Sequence, residues 1–372
     1  MSKKILITGG AGFIGSHLAD ELLEKGYDVR VLDNLSEQVH GKNCIRPEYL
    51  NADVELIIGD VRDENKIKKA LRGVDAVYHY AAMVGVGQSM YEIKNYTDVN
   101  NIGTTVLLEA LIKNPVEKLV IASSMSIYGE GLYKTNDGTP KAGLDRPLTQ
   151  LKNGDWEVID NEGSALTPYP TPETKTPSLS SVYALSKFDQ ERLCLLIGKA
   201  YQIPTVALRF FNVYGTRQAL SNPYTGVLAI FAARLLNNNC PLVFEDGHQK
   251  RDFVSVYDIA QASLLALEKK EANFEVFNIG SGNAFTIIEI AERLAAILNK
   301  EYLSAEITGK YRVGDIRHCF ADISKARDFL GYEPAIQLED GLIELAEWLQ
   351  GQTAIDKVSE ASKELASRGL TV

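Results

Sequence analysis

The sequence predicts an α/β fold, a doubly wound parallel sheet with a smaller C-terminal lobe. Short apolar runs alternate with amphipathic helical stretches from the first residues onward, which is the rhythm of consecutive βαβ units. A glycine-rich turn joins the first apolar run to the first helix, as in sheets that bind dinucleotides. A length of 372 residues with 45% hydrophobic content is sufficient for one large domain and a second lobe.

Residues 1–210 are expected to form the sheet domain. Its predicted strands cover residues 3–8, 28–32, 55–59, 76–79, 118–122 and 205–210. Its predicted helices cover residues 13–25, 64–71, 101–113 and 183–201. Residues 211–352 should form mainly the C-terminal lobe, which would bind the substrate, with some segments returning to the sheet domain.

Two stretches depart from this alternation. Residues 131–180 are rich in Pro, Gly, Thr and Asp and lack long apolar runs, so we expect an irregular insertion. A lid over the site is its functional interpretation, and a passive surface loop is the alternative. From residue 353 to 372 a polar amphipathic pattern predicts a solvated terminal helix rather than one that binds a partner.

Composition excludes several classes of function. The 39 basic and 49 acidic residues give a net charge of −10, which argues against nucleic-acid and anionic-membrane partners but permits a local basic pocket. No signal peptide precedes the first strand and no apolar run is long enough to span a bilayer, so we expect a cytoplasmic protein. The four cysteines are scattered, and no histidine has a ligand-spaced partner. Reduced thiols and no metal site are therefore expected.

Gly9, Gly12 and Gly15 predict a dinucleotide clamp. Without a Cβ, these positions let the chain turn tightly and approach a pyrophosphate, and the next helix directs its positive dipole end at the phosphates. Asp33 ends the second predicted strand. A carboxylate there binds the ribose 2′-hydroxyl and repels a 2′-phosphate, which favours NAD over NADP.

Tyr183 and Lys187 predict proton transfer coupled to hydride transfer at a carbinol carbon. The tyrosine phenol is the candidate acid and base. The lysine ammonium is expected to lower the pKa of the phenol, with help from the positive nicotinamide ring, and to hold the ribose.

These motifs occur in order with several others along nearly the whole chain. The others are His79-Tyr80-Ala81-Ala82, Asn100-Asn101-Ile102-Gly103-Thr104, Ser123-Ser124-Met125-Ser126-Ile127-Tyr128-Gly129, Leu208-Arg209-Phe210-Phe211-Asn212-Val213-Tyr214-Gly215 and Arg251-Asp252-Phe253-Val254. In this combination the chain resembles the extended short-chain dehydrogenases/reductases of the nucleotide-sugar epimerase/dehydratase family. The resemblance implies a Rossmann domain, bound NAD and a nucleotide-diphosphate-sugar substrate.

The cofactor and substrate contacts follow from the glycine turn, from Asp33 and from the resemblance. The predicted NAD contacts are Gly9, Gly12, Phe13, Ile14, Gly15, Asp33, Asn34, Asp60, Val61, Tyr80, Ala81, Ala82, Asn100, Ser123, Tyr183, Lys187 and Phe210. The predicted substrate contacts are Val86, Ser124, Ser126, Asn212, Arg251, Arg312 and Asp315. For Arg251 an ion pair with Asp252 or Asp258 is the alternative, and for Arg312 and Asp315 a surface ion pair.

The residues after Ser124 indicate which of the family's reactions is expected. In the family, the position of Ser124 holds a hydroxyl that binds the reacting sugar oxygen. The 4,6-dehydratases have Asp and Glu where Met125 and Ser126 stand, sugar-acid decarboxylases have Glu in place of Ser126, and 3,5-epimerases place a Cys in this loop. A thioether cannot donate a proton and an alcohol is a poor base at neutral pH. The resemblance therefore implies 4-epimerisation by Tyr183, Ser124, Lys187 and NAD.

A finer resemblance concerns residues 33–41, 84–91 and 218–226. These stretches and the long insertion are similar to the members of the family that epimerise dTDP-L-rhamnose to dTDP-6-deoxy-L-talose. Epimerisation of UDP-glucose or UDP-glucuronate is the alternative, followed by net 4-keto reduction and a non-catalytic NAD-sensing role. The helices predicted at 101–113 and 183–201 match the pair that forms a dimer interface in the family, so a homodimer is expected.

Overall fold

The computed structural model describes residues 2–224, 226–312 and 314–371. Thr225 and Val313, each inside a motif stretch considered above, lie outside the described residues. The strands are β1 Lys4–Thr8, β2 Asp28–Asp33, β3 Glu55–Ile58, β4 Ala76–His79, β5 Lys118–Ser124, β6 Leu132–Lys134, β7 Pro140–Ala142, β8 Thr167–Tyr169, β9 Thr205–Phe210, β10 Asn212–Tyr214, β11 Leu242–Val243, β12 Lys250–Arg251, β13 Phe253–Ser255, β14 Val276–Ile279, β15 Phe285–Thr286, β16 Glu306–Ile307 and β17 His318–Cys319.

The α-helices surround the central sheet and build the second lobe. They are α1 Phe13–Glu24, α2 Glu37–His40, α3 Glu64–Ala70, α4 Val86–Ser89, α5 Ile93–Tyr96, α6 Gly103–Lys113, α7 Leu148–Lys152, α8 Val182–Ala200, α9 Val227–Leu236, α10 Val256–Glu268, α11 Ile287–Ile297, α12 Ser324–Leu330, α13 Leu338–Leu349 and α14 Val358–Ser367. A π-helix covers Thr97–Ile102, and 3₁₀ turns cover Met125–Tyr128 and Lys270–Ala272.

The central sheet has seven parallel strands in the order β14-β9-β5-β4-β1-β2-β3. This order confirms the predicted doubly wound sheet. The chain runs outward from β1 in one direction and returns through β4 in the other, so β1 and β4 flank the switch point of the topology. Ligands of such sheets bind outside the carboxyl ends of the strands at this point.

Local sequence pattern located the sheet domain closely. The six predicted strands and four predicted helices are present, with ends that differ by one or two residues. Two buried clusters cover the two faces of the sheet, one including Ile5 and Val120 and the other including Leu6 and Ile121. Adjacent residues of β1 and β5 thus face opposite layers, as the pleat of a strand requires.

The prediction that the insertion is irregular is wrong in part. Residues 131–180 contain a three-stranded antiparallel sheet in the order β7-β6-β8, and Tyr133, Val158 and Leu166 form a small core beneath it. The strands are only three residues long, which is too short for an alternating apolar pattern to show in the sequence. Ser180 is the residue of this insertion that lines the large cavity described below, which argues against a lid.

Buried ion pairs fasten the insertion to the C-terminal lobe. Arg146 donates to Glu245 at 2.8 Å, and both side chains are buried. Arg317, which is also buried, contacts Glu245 at 2.9 Å and Glu157 of the insertion at 2.6 Å. A buried charge without its partner is strongly destabilising, so this network fixes where the insertion docks.

Replacing Arg146 by Met should lower the free energy of unfolding by about 3 kcal/mol, because Glu245 loses one of its two buried arginines. Urea unfolding followed by circular dichroism measures this loss. Lys152→Met, an exposed position in the same insertion, is the control and should change the free energy by less than about 0.5 kcal/mol. Equal stability of the two variants would contradict the proposed docking.

The C-terminal helix also differs from its prediction. It begins at Val358 rather than at residue 353, and Ala361 and Leu365 are buried, so the prediction of a solvated helix is wrong. In the part of the chain that the structure describes, no helix is long and apolar enough to cross a membrane. Among the same residues, no group of three or more His, Cys, Asp or Glu side chains is placed to hold a metal ion.

Candidate active site

A cavity of about 870 Å³ lies at the carboxyl edge of the central sheet, between the sheet domain and the C-terminal lobe. The glycine turn, the loop after β4 and the end of β5 form one side of it. Residues of the C-terminal lobe, among them Arg251 and Arg312, form the other side. The cavity therefore holds together sequence motifs that are more than 300 residues apart, from Gly9 to Asp315.

Glycine stands at the three positions of the turn for different structural reasons. Gly9 has a φ of +72°, and a Cβ there would lie 2.7 Å from the backbone nitrogen of Ala81. A Cβ on Gly15 would lie 2.6 Å from Cα of Gly10. At Gly12 the nearest heavy atom would be 3.4 Å away, so the protein itself has room for a side chain there. Packing thus explains Gly9 and Gly15, whereas Gly12 leaves space for a ligand at the N-terminus of α1.

Asp33 lies at the end of β2 and lines the cavity. One carboxylate oxygen accepts the N–H of Ala11 at 3.1 Å, and the other accepts the N–H of Leu35 at 2.9 Å. These bonds hold an acceptor group beside the glycine turn, where the adenosine ribose of a dinucleotide lies in this fold. The position fits NAD, because a carboxylate there repels a 2′-phosphate.

Asp60 lies at the rim of the same half of the cavity. Arg62 donates to both of its oxygens at 2.8 Å, and Asn34 donates at 3.1 Å. The hydrogen bond from Arg62 is the main reason that the pKa of Asp60 falls to about 2. Asp60 is therefore ionised throughout the physiological range and its carboxylate is already engaged by protein donors.

The catalytic candidates share the first turns of α8. The Ser181 hydroxyl accepts the N–H of Ala184 at 3.0 Å and caps the helix. The N–H of Tyr183 is bound by the hydroxyl of Ser89 at 3.0 Å, which attaches α8 to α4. Because residues four apart lie on one face of a helix, Tyr183 and Lys187 both point to the cavity, which both of them line.

Burial governs the protonation of this pair. It raises the pKa of Tyr183, and a hydrogen bond with the Ser124 hydroxyl lowers that pKa in part. Burial lowers the pKa of Lys187 to about 8, and its ammonium donates to the side-chain oxygen of Gln190. In this structure Ser124 is the neighbour that favours the phenolate of Tyr183, and the contribution of Lys187 to the pKa of Tyr183 stays a prediction.

Ser124 is presented by the end of β5 and the 3₁₀ turn after it. Its hydroxyl lies 2.9 Å from that of Ser126 and accepts the N–H of Ser126 at 3.2 Å. Beneath it, Ser123 donates to Glu191 at 2.7 Å, and Glu191 forms a buried bidentate pair with Arg209. The strand end is thus held from below, and the hydroxyl of Ser124 is left facing the cavity and Tyr183.

The C-terminal lobe contributes two arginines to the cavity. Arg251 donates to the carbonyl of Arg317 at 2.9 Å and lies 3.8 Å from Asp315. Its alternative partners are engaged elsewhere: Asp252 accepts the N–H of Ser281 and Asp258 that of Ala335. Arg251 is therefore held by backbone carbonyls and one distant carboxylate.

Arg312 does not form the surface ion pair that was its alternative interpretation. Its guanidinium lies over the ring of Phe244, 4.2 Å from the ring centroid. Its Nε is buried and has no hydrogen-bond partner among the described residues. Two guanidinium groups with unused donors beside one cavity are suited to a diphosphate.

The structure brings together 23 of the 24 residues predicted for the site, all except Asn100. Asn100 is fully buried and does not line the cavity, so its role as an NAD contact stays a prediction. Its amide oxygen accepts the N–H of Met83 at 2.7 Å and its amide nitrogen donates to Ser186 at 3.0 Å. Asn100 thus ties the loop after β4 to α8.

Sequence reasoning missed several parts of the cavity wall. Gln38 donates to Gln88 and to Asn222, both at 3.1 Å, and so links α2, α4 and the segment before α9. No local pattern marks such isolated polar residues. The largest omission is the C-terminal segment, whose missed cavity residues are Val358, Ala361, Ser362, Leu365 and Leu370. The apolar spacing of Val358, Ala361 and Leu365 was the available signal.

The arrangement defines a class of protein. A doubly wound parallel sheet, a glycine turn with room for a pyrophosphate, a carboxylate at the end of β2 and a Tyr–Lys pair beside a serine are together typical of an NAD-dependent short-chain dehydrogenase/reductase. Within this class, the model of the NAD dependent epimerase/dehydratase family matches residues 5–149 and 162–280. The chain belongs to that family, and NAD is its cofactor.

Relatives match over almost their whole length. The dTDP-L-rhamnose 4-epimerase of Burkholderia thailandensis is 36% identical over 93% of this chain and 95% of its own. The structure of UDP-glucose 4-epimerase from Thermus thermophilus in complex with NAD has a TM-score of 0.75 at 30% identity, covering 94% of this chain and 100% of that one. The UDP-glucuronic acid 4-epimerase of Bacillus cereus, solved with UDP-glucuronic acid and NAD, has a TM-score of 0.75 at 29% identity, covering 93% and 99%.

Proposed function

We propose that this enzyme is a nucleotide-sugar 4-epimerase. The observation that carries the proposal is the set of groups around the reacting position. Tyr183, Ser124 and Lys187 meet at one end of the cavity, and the turn after Ser124 holds Met125 and Ser126 instead of carboxylates. The carboxylates that line the cavity, Asp33, Asp60 and Asp315, belong to other segments. Proton transfer at one carbinol is the chemistry that such a set supports.

Each group has a role in this proposal. NAD, held by the glycine turn and Asp33, would supply the hydride chemistry at C4 of the sugar. Tyr183 takes the proton of the 4-hydroxyl and gives it back to the 4-keto sugar after the sugar has turned. The Ser124 hydroxyl, the neighbour that lowers the pKa of Tyr183, holds the sugar oxygen and supports the phenolate. The Lys187 ammonium lies one helical turn from Tyr183 and adds positive charge beside it.

We propose dTDP-L-rhamnose as the substrate and dTDP-6-deoxy-L-talose as the product. The relative from Burkholderia thailandensis supports this choice, as do the resemblances in residues 33–41, 84–91 and 218–226. UDP-glucose or UDP-glucuronate is the alternative, because two solved structures similar to this chain are epimerases of those sugars.

A product assay without added NAD tests the reaction and the substrate together. Purified protein is incubated with dTDP-L-rhamnose, UDP-glucose or UDP-glucuronate, and products are identified by NMR. Inversion at C4 of the dTDP sugar alone is the expected result. Inversion of a UDP sugar alone would support the proposed reaction and contradict dTDP-L-rhamnose as the substrate. No inversion of any of the three would contradict all the proposed substrates.

Arg251→Ala should raise KM for the nucleotide sugar about 10- to 100-fold and leave kcat within a few-fold. The reason is that the diphosphate loses charge-assisted hydrogen bonds while Tyr183 and Ser124 stay in place. Initial rates over a range of substrate concentrations measure both constants. Arg327→Ala removes an exposed arginine from α12 and should leave both unchanged. A loss confined to kcat would show that Arg251 does not bind the ground-state diphosphate.

We also propose a homodimer through α6 and α8. Leu185 and Leu196 of α8 are 53% and 58% exposed, and Ile102 just before α6 is 50% exposed. Large apolar side chains on adjoining helices are suited to burial against a second copy. Light scattering on a size-exclusion column should give about twice the chain mass, and Leu185→Glu with Leu196→Glu should give the monomer. A wild-type monomer at micromolar concentration would contradict this proposal.

A further inference from the structure

The C-terminal segment crosses the open side of the cavity. It leaves the C-terminal lobe at Asp356, which accepts hydrogen bonds from Arg234 at 3.2 Å and from Asn239 at 2.8 Å. Just before it, the N–H of Ile355 is bound by the Ser221 hydroxyl at 3.0 Å. These contacts fix the beginning of the segment on α9 and its surroundings.

The helix α14 then reaches the sheet domain. Leu365 is 5% exposed, and its Cδ2 would lie 3.3 Å from a Cβ on Gly87 of α4. One turn further, the guanidinium of Arg368 lies over the ring of Tyr91 at 4.4 Å from the centroid. The end of the chain returns to the C-terminal lobe, where Thr371 pairs with Arg312 as an isolated antiparallel bridge. The segment is therefore tied to both lobes across the cavity.

The contacts of Leu365 connect it to the part of the cavity in which the reacting carbon is proposed to bind. It packs on Gly87 of α4, and Ser89 of the same helix binds the N–H of Tyr183. The wall that α14 adds is thus attached to the end of the cavity that holds the catalytic tyrosine. Most side chains that line the cavity here are apolar, and Ser362 is the polar exception on α14. The apolar ones are Val86 and Met90 at α4 and Val358, Ala361, Leu365 and Leu370 of the C-terminal segment.

We propose that this wall, with Leu365 at its centre, selects 6-deoxy sugars. The inference rests on the proposed 4-epimerase function, in which C4 lies beside Tyr183 and the substituent on C5 lies one bond further. A methyl group at C6 is buried favourably against Leu365 and Val86. A 6-hydroxyl would be desolvated there without a partner from those side chains, and a 6-carboxylate would lose still more hydration. Leu365 is then a specificity-determining residue on a helix outside the matched family region, residues 5–149 and 162–280.

The test uses one pair of ligands that differ only at C6, dTDP-L-rhamnose and dTDP-L-mannose. Binding to the NAD-loaded Tyr183→Phe protein is measured by calorimetry, so that the result does not depend on turnover. The 6-deoxy sugar should bind about 10- to 100-fold more tightly than its 6-hydroxy counterpart. With Leu365→Ser added, the ratio should fall below about 3-fold, mainly through loss of affinity for dTDP-L-rhamnose.

Two further variants complete the design. Lys363→Ala changes an exposed position on α14 and should keep the wild-type ratio. A chain that ends at residue 357 removes the wall and should also lose the preference, which covers the case in which Leu365→Ser disturbs the helix.

Three outcomes would overturn the inference. They are equal affinity for the two sugars before any change at Leu365, an unchanged ratio in both wall variants, and binding of neither sugar. Absence of C4 inversion by the unmodified enzyme would overturn the proposed function instead, and the affinity ratio would still report on the wall.

Discussion

Replacing Tyr183 by Phe is expected to lower kcat for C4 inversion by about 10²- to 10⁴-fold, the usual contribution of a positioned acid and base. Phe keeps the ring and its packing, including the edge-on contact with Tyr96 at 6.4 Å between ring centroids. The variant loses the phenol hydroxyl, whose pKa Ser124 lowers. KM should change little, because the nucleotide and diphosphate contacts remain. Product formation by NMR and the NAD content of the purified protein are the measurements.

Tyr96→Phe is the matched control for this loss. Tyr96 is fully buried next to Tyr183, but its hydroxyl donates to Gln88 and not to Ser124. Removal of that hydroxyl should leave kcat within a few-fold of wild type. If Tyr183→Phe retained more than about a tenth of wild-type kcat with NAD still bound, another group would have to carry the proton.

Gly12→Val is expected to weaken NAD binding at least about 100-fold while the protein still folds. The backbone of Gly12 has extended dihedral angles, φ −77° and ψ −177°, that valine adopts readily. A Cβ there meets no protein atom closer than 3.4 Å, so the added side chain projects into the cavity where the pyrophosphate would bind at α1. Loss of phosphate hydrogen bonds at the helix N-terminus is the cause of the weaker binding.

The measurement is NAD affinity by calorimetry together with the thermal midpoint of the NAD-free protein. That midpoint should fall by only a few degrees, the cost of a poorer residue at the helix N-cap. Gly351→Val is the control at an open position, because the nearest atom to its Cβ would be 3.9 Å away. By contrast, Gly15→Ala would place a Cβ 2.6 Å from Cα of Gly10 and should destabilise the fold itself. Unchanged NAD affinity in Gly12→Val would show that the pyrophosphate lies elsewhere.

Patterns of short range predicted most of the sheet domain. Apolar runs such as residues 76–79 and 205–210 specify buried parallel strands because both faces of the sheet are covered. Gly9 and Gly15 were recognisable because backbone contacts at a fixed spacing exclude a side chain there. Tyr183 and Lys187 were recognisable because a spacing of four residues places both on one face of a helix.

Several features depended on contacts between distant segments. Asn100 belongs to a recognisable motif, yet only the structure shows that its side chain is bonded to Met83 and Ser186. The insertion looked irregular because its strands are only three residues long, and its docking depends on ion pairs such as Arg146 with Glu245, 99 residues apart in sequence. No local pattern encodes a pair between residues this far apart.

The sequence by itself determined the parallel sheet, the glycine turn and the placement of Tyr183 and Lys187 on one helix face, because each follows from backbone geometry or helix periodicity within one segment. Only the tertiary structure decided that the C-terminal helix covers the cavity. Its apolar face, with Ala361 and Leu365, needed a surface to bury against, and the sequence did not show which one. In the structure this apolar face packs on Gly87 of α4. Because Gly87 has no side chain, Leu365 approaches the backbone next to α8.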